Sequence, residues 1–132
     1  MKFAARVFSL AGVYGLGLAL LYFLESKLGV WLPPAINHPE FYYGFTGTVV
    51  ALHLLFFVVA KDPARYRPLM PLFVLEKAIF GGTMICLYLA GRVGLLPWVY
   101  GGLGDLGWGV LFLLSYLKLK EGAPVPAYGA AR

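Results

Sequence analysis

Residues 41–90 read FYYGFTGTVVALHLLFFVVA-KDPARYRP-LMPLFVLEKAIFGGTMICLYLA: two apolar runs of 20 and 22 residues, parted by eight residues that hold Lys61, Asp62, Arg65, Arg67 and two prolines. A helix rises about 1.5 Å per residue, so roughly 20 apolar residues cross a hydrocarbon core of ~30 Å. Pro68 and Pro71 suit the first turn of a helix and Asp62-Pro63 punctuates the chain before them, so the basic stretch reads as a tight connection between two spans. The second span carries Glu76 where lipid is expected, and a carboxylate there requires an explanation.

Working outward, two further apolar runs flank this pair, at about residues 3–24 and 98–117. The expectation is a single all-α domain, 1–132: an integral membrane four-helix bundle, antiparallel, with spans at about 3–24, 41–60, 69–90 and 98–117 and a solvated tail at 118–132. Composition agrees. The chain is 61% hydrophobic and 13% charged, against about 25% charged residues in a soluble globule. The net charge of +5 does not read as a nucleic-acid surface, because Lys and Arg sit at the ends of apolar runs instead of in a patch. The lone Cys86 excludes an intrachain disulfide and leaves the redox compartment open. Lys2 and Arg6 before an apolar run imitate a signal peptide, but that run exceeds the usual 7–15 apolar residues of one, so it is read as a retained span.

Charge placement predicts topology. Lys2 and Arg6 precede the first span, Lys61, Arg65 and Arg67 fill the middle loop, and Lys118, Lys120 and Arg132 lie in the tail. The other two loops hold only Lys27 and Arg92. By the positive-inside rule both termini are cytoplasmic, in a multi-pass membrane protein.

The spans carry their own face patterns. Ser9, Gly12, Gly15, Gly17 and Ala19 make the first a packing helix. Trp31, Pro33 and Pro34 mark an interfacial loop, and Asn37 or His38 caps the second helix ahead of Pro39 and Glu40. In the second span Tyr42, Thr46 and His53 share a polar stripe, while Gly44, Gly47, Thr48 and Ala51 make a separate face that reads as a packing seam. In the fourth, Asp105 lies between Gly101 and Gly109 on a face with Trp108, Phe112 and Tyr116, which turns the acid into the bundle.

His53 and Glu76 each lie about seven residues, ~10 Å, from the loop that joins their helices, so they are level. The short loop makes those helices antiparallel neighbours and brings a His–Glu pair within reach. Two readings of Glu76 stand beside each other: a ligand or proton site, or a structural pair with His53, Arg6, Lys77 or a loop arginine. Lys77 is expected to snorkel away from Glu76 toward the interface, and Asp105 to pair with Arg92. Arg65 and Arg67 are candidates for lipid headgroups, with topology alone as the competing explanation. No metal site is expected, since His53 with Glu76 makes only two ligands and His38 with Glu40 lies in the outer loop. The run Gly101-Gly102-Leu103-Gly104 lacks the Lys and Ser/Thr of a nucleotide loop, so no cofactor is legible.

Phe41-Tyr42-Tyr43-Gly44-Phe45, the segment Lys61 to Met70 and Leu75-Glu76-Lys77 resemble small uncharacterised bacterial membrane proteins with four spans, a resemblance that implies a bacterial inner membrane as the expected location. Size and helix plan are also similar to DoxX-like proteins and to the bundle shared by sterol isomerases and sigma-2-type receptors; this similarity is architectural and brings no function. Small multidrug exporters are similar in span number, but their working glutamate lies in the first span, where this chain has none.

The functional expectation is a polytopic membrane protein that binds or transports a small apolar or amphipathic molecule, such as a lipid or an amine, within the bundle. Glu76, His53, Asp105, Tyr42 and Thr46 are its ligand-binding or proton-relay residues. Two alternatives stand beside it. One is an isomerase-like intramembrane enzyme with Glu76 or Asp105 moving protons. The other is a structural or assembly subunit that uses the glycine seams, which also leave room for a homo-oligomer.

Overall fold

The computed structural model describes residues 1–24, 27 and 37–119. Among these, every regular element is helical, and the helices number four once contiguous pieces are joined. Helix α1 (Lys2–Ala19) runs on into a 3-10 turn, Leu20–Phe23. Helix α2 is Pro39–Lys61. A 3-10 turn, Arg67–Leu69, leads into α3, Met70–Leu89. Helix α4, Gly104–Lys118, is preceded without a break by one α turn, Leu95–Pro97, and a π-helical segment, Trp98–Leu103. The interfacial loop around Trp31 and the tail from Lys120 lie outside the described residues.

The boundaries have local causes. Pro39 and Glu40 occupy the first turn of α2, where a missing N–H costs nothing and a negative charge complements the helix dipole. His38 precedes them without a side-chain cap and instead pairs with Glu40 at 3.1 Å. Helix α3 ends at Gly91, whose φ of +68° favours glycine. The Arg92 amide donates to Leu87 O and the Gly91 amide to Tyr88 O, the Schellman arrangement that satisfies the last carbonyls.

Helix α1 packs on α2, α3 packs on α4, and α1 also packs on α4; α2 and α3 are not a closely packed pair. The neighbours expected from the short loop do touch, through the Phe45–Phe80 and Phe56–Phe73 rings, but without close backbone approach. Small residues decide the pairing instead. An added Cβ on Gly12 would meet the Phe57 ring at 2.7–2.9 Å, one on Gly15 would overlap His53, and one on Gly81 would meet Leu106 at 2.5 Å. Gly15→Ala is thus expected to force α1 off α2 and cost about 1–3 kcal/mol. Gly17→Ala, which faces open space, should stay within about 1 kcal/mol of wild type or gain slightly; equilibrium unfolding of the two variants checks this contrast.

The faces of α2 exchange the roles expected of them. Thr46, His53, Phe56 and Val59 are its buried residues, while Gly44, Thr48 and Ala51 are exposed. The polar stripe can be buried because it satisfies itself. Thr46 Oγ1 donates to Tyr42 O at 2.7 Å and His53 Nδ1 donates to Val49 O at 2.7 Å.

Each of the four helices contributes one phenylalanine to a closed aromatic group: Phe8, Phe56, Phe73 and Phe112. Phe8 stacks on Phe112 at 4.6 Å, Phe56 meets Phe73 at 5.2 Å and Phe112 at 5.0 Å, and Phe8 meets Phe56 and Phe73 at 5.8 and 5.9 Å. Edge-to-face and offset stacking at such distances are the favoured aromatic geometries. Beyond this group, Arg67 lies over the Tyr116 ring at 4.1 Å and Lys118 over Phe3 at 4.3 Å, tying loop and tail ends to the bundle.

A cavity around a buried carboxylate–ammonium bridge

One turn from the phenylalanine group, on the side away from the α2–α3 loop, Lys77 is buried to 3% exposure. Its ammonium lies 3.1 Å from Asp105 Oδ2 and 3.2 Å from Glu76 Oε2. The expected snorkelling of Lys77 and the expected Asp105–Arg92 pair are both corrected. Arg92 is exposed beyond the end of α3, whereas Lys77 falls on the seam Met70, Phe73, Lys77 and Gly81 that α3 buries. Room for the lysine stem comes from Gly109, where a Cβ would stand 3.2 Å from Lys77 Cβ.

The bridge satisfies its members unequally. Lys77 Nζ donates to Asp105 Oδ2 at 3.1 Å and to Glu76 Oε1 at 3.4 Å. Glu76 Oε2 lies within ion-pair range but out of line for a hydrogen bond, and it is buried without a donor. With both carboxylates ionised, the two around one ammonium carry one net negative charge.

Beside the bridge is a cavity of about 240 Å³, lined from every helix: Tyr14 of α1; Phe45, Thr46, Val49 and His53 of α2; Glu76, Lys77 and Phe80 of α3; Tyr100, Gly101 and Asp105 of the last helix. Phe45 and Phe80, both in the lining, stack on each other at 5.7 Å. The loose α2–α3 pairing leaves this space, and the four phenylalanines fill the bundle below it. The π-helical segment contributes Tyr100 and Gly101 to the wall, an irregularity that recurs at functional sites.

Of the sequence-predicted residues, Glu76, His53, Asp105 and Thr46 meet in this cavity. The ion partner of Glu76 is Lys77 and not His53. His53 gives its Nδ1 proton to Val49 O, leaving Nε2 as an acceptor. Tyr42 is outside the lining; its ring meets Tyr43 at 5.3 Å and its carbonyl accepts from Thr46. Arg67 donates to Tyr116 O at 3.3 Å in addition to stacking on its ring. Arg65 has its amide bound to Asp62 Oδ1. Sequence reasoning missed Lys77, Tyr14, Val49 and Tyr100 as lining. For Lys77 the signal was present, since Phe73 and Gly81 each stand one turn away on the same packing stripe. Among the described residues no group of three metal-ligating side chains occurs.

Comparison with protein-family models, curated proteins and solved structures finds no match.

Proposed function

We propose that the chain is a four-span protein of a bacterial inner membrane, with both termini cytoplasmic, and that its cavity binds or transports a small apolar or amphipathic molecule. Helix α2 and the stretch Arg67–Leu89 are long and apolar enough to cross a membrane. Their most apolar windows are only 22% and 17% buried inside the molecule, whereas the core helix of a soluble protein is mostly covered. Large apolar side chains stand exposed on all four helices, among them Leu10, Leu54, Ile79 and Leu113. So much uncovered apolar surface calls for lipid. The clustering of Lys and Arg at the termini and middle loop sets the orientation.

The single observation that carries the binding role is the convergence of Glu76, Lys77 and Asp105 on an aromatic-lined cavity drawn from four helices. Ionisable groups inside a bilayer cost several kcal/mol unless they are paired, and they mark sites for ligands or protons. The volume is close to the lower end of the ~300–1,000 Å³ common for ligand pockets, which suits a compact head with a short apolar segment.

Filling the cavity tests this reading. An added Cβ on Gly101 makes only ordinary contact, 3.5 Å from Phe80, so Gly101→Leu is expected to fold while occupying the space. Retention of dodecyl amphiphiles with neutral, cationic and anionic heads, counted by native mass spectrometry, should weaken about tenfold or more. Gly107→Leu, on an exposed surface with nothing nearby, should bind as wild type does. Equal binding by both variants places the ligand elsewhere.

A further inference from the structure

Resting on the binding role just proposed, we infer that the ligand is a single-chain cationic amphiphile with N–H donors, a primary or secondary alkylammonium, which reaches the cavity sideways past Glu76. Two of the three N–H groups of Lys77, the strongest donor in the lining, are engaged by carboxylates. Thr46 donates its hydroxyl hydrogen bond to Tyr42 O, and His53 donates from Nδ1 to Val49 O. The polar side chains of the lining, Glu76, Asp105, Thr46 and His53, are thereby left with more acceptor than donor capacity. Only the hydroxyls of Tyr14 and Tyr100 can act either way.

A cavity with spare acceptors and one net negative charge selects a donor that is also a cation. An anionic head would meet two carboxylates, and a neutral alcohol would leave the excess charge unmatched. An ammonium supplies up to three N–H groups, and charge-assisted bonds of that kind are the strong ones. The aromatic rings of Tyr14, Phe45, Phe80 and Tyr100 add faces on which a cation is stabilised.

Glu76 also defines the route. Its side chain is 34% exposed although Oε2 is buried. It lines the inner cavity and, together with Phe80, a shallow furrow on the outer face of α3 formed with Leu72, Leu75, Ile79 and Thr83. The furrow is open and apolar and follows the helix from Leu72 to Thr83. An alkyl chain lying there, with its ammonium turned inward at Glu76, uses both spaces at once. A lipid-dissolved amine would then be held at the wall between bilayer and bundle.

The test is a binding comparison on the full-length protein in mild detergent, with dodecylamine, dodecyltrimethylammonium, 1-dodecanol and dodecanoate as probes. Wild type is expected to hold dodecylamine about 10- to 100-fold more tightly than 1-dodecanol, the range charge-assisted hydrogen bonds supply. Dodecanoate should be weakest, and the quaternary head, which has charge but no N–H, should fall between amine and alcohol. Glu76→Gln should abolish the preference for amine over alcohol while leaving alcohol binding in place, and Glu76→Asp, which restores the charge, should recover part of it. If amine and alcohol bind alike to wild type, or if Glu76→Gln keeps the amine preference, the inference is overturned and the binding role stands. If no dodecyl probe is retained by wild type, the binding role itself has failed.

Discussion

Lys77→Met is expected to lower the unfolding free energy by about 3–5 kcal/mol, because it leaves Glu76 and Asp105 as buried carboxylates without a counter-ion. Lys77 is 3% exposed and its ammonium touches both acids, at 3.2 and 3.1 Å. Removing the cation does not return the acids to water; it leaves their charge in the bundle, or obliges one of them to take up a proton. The companion variant distinguishes an ion-pair effect from simple loss of packing. Replacing all three groups, as Glu76→Gln, Lys77→Met and Asp105→Asn together, removes the charges with little change of shape and should recover most of the loss. Denaturant titration in mild detergent measures both. A Lys77→Met protein within about 1 kcal/mol of wild type would show that the bridge is not closed as described.

Phe8→Ala should cost a similar amount, about 3–5 kcal/mol. Phe8 is fully buried, and its ring contacts the phenylalanines of the other three helices, stacking on Phe112 at 4.6 Å. Truncation removes those contacts and leaves a void where α1, α2, α3 and α4 meet, a place where no single helix can shift to close it without losing another contact. Leu10→Ala on the same helix, at a side chain 61% exposed, should change stability by less than about 1 kcal/mol. If both substitutions cost the same, α1 is not seated through Phe8.

Much of the fold is legible because the features that set it are local in the chain. Runs of about 20 apolar residues, the prolines at 39, 63, 68 and 71 and Gly91 mark where helices start and stop, and the observed helices follow those marks. What periodicity could not supply is which face of each helix meets which neighbour. In a chain apolar on nearly every side, small and polar residues are the only face markers, and they are ambiguous. On α1 the glycines do mark the seam, Gly12 and Gly15 meeting Phe57 and His53. On α2 Gly44, Thr48 and Ala51 are exposed and Gly47 is half-buried, while Thr46 and His53 can be buried with their polar atoms bonded to carbonyls one turn back, a bond that Thr48 makes as well.

The candidate site was half legible for the same reason. Asp105 between glycines pointed inward, and it lines the cavity. Glu76, Thr46 and His53 also reach it; of the partners the sequence leaves open for Glu76, namely His53, Arg6, Lys77 or a loop arginine, the structure supplies the adjacent lysine. Sequence spacing places Lys77 about 100° around the helix from Glu76 and says nothing of a long side chain folding back between two acids. The π-helical stretch before α4, which sets Tyr100 and Gly101 against the cavity, had no sequence marker beyond the glycine run Gly101, Gly102 and Gly104.

Two residues of α2 at nearly the same depth distinguish the cavity from the lipid-facing surface. Thr46 is buried and lines the cavity, while Thr48 is exposed on the outer, apolar face. In a Cys86→Ser background reconstituted into lipid vesicles, the thiols of Thr46→Cys and Thr48→Cys are compared for reaction with a small water-soluble methanethiosulfonate. The reagent needs thiolate, which hydrocarbon suppresses and a polar cavity permits. The prediction is that Thr46→Cys reacts, and is protected by dodecyl amphiphiles, while Thr48→Cys stays inert. A Thr48→Cys thiol that reacts as fast as Thr46→Cys, or a Thr46→Cys thiol that never reacts, contradicts a ligand cavity inside a membrane bundle.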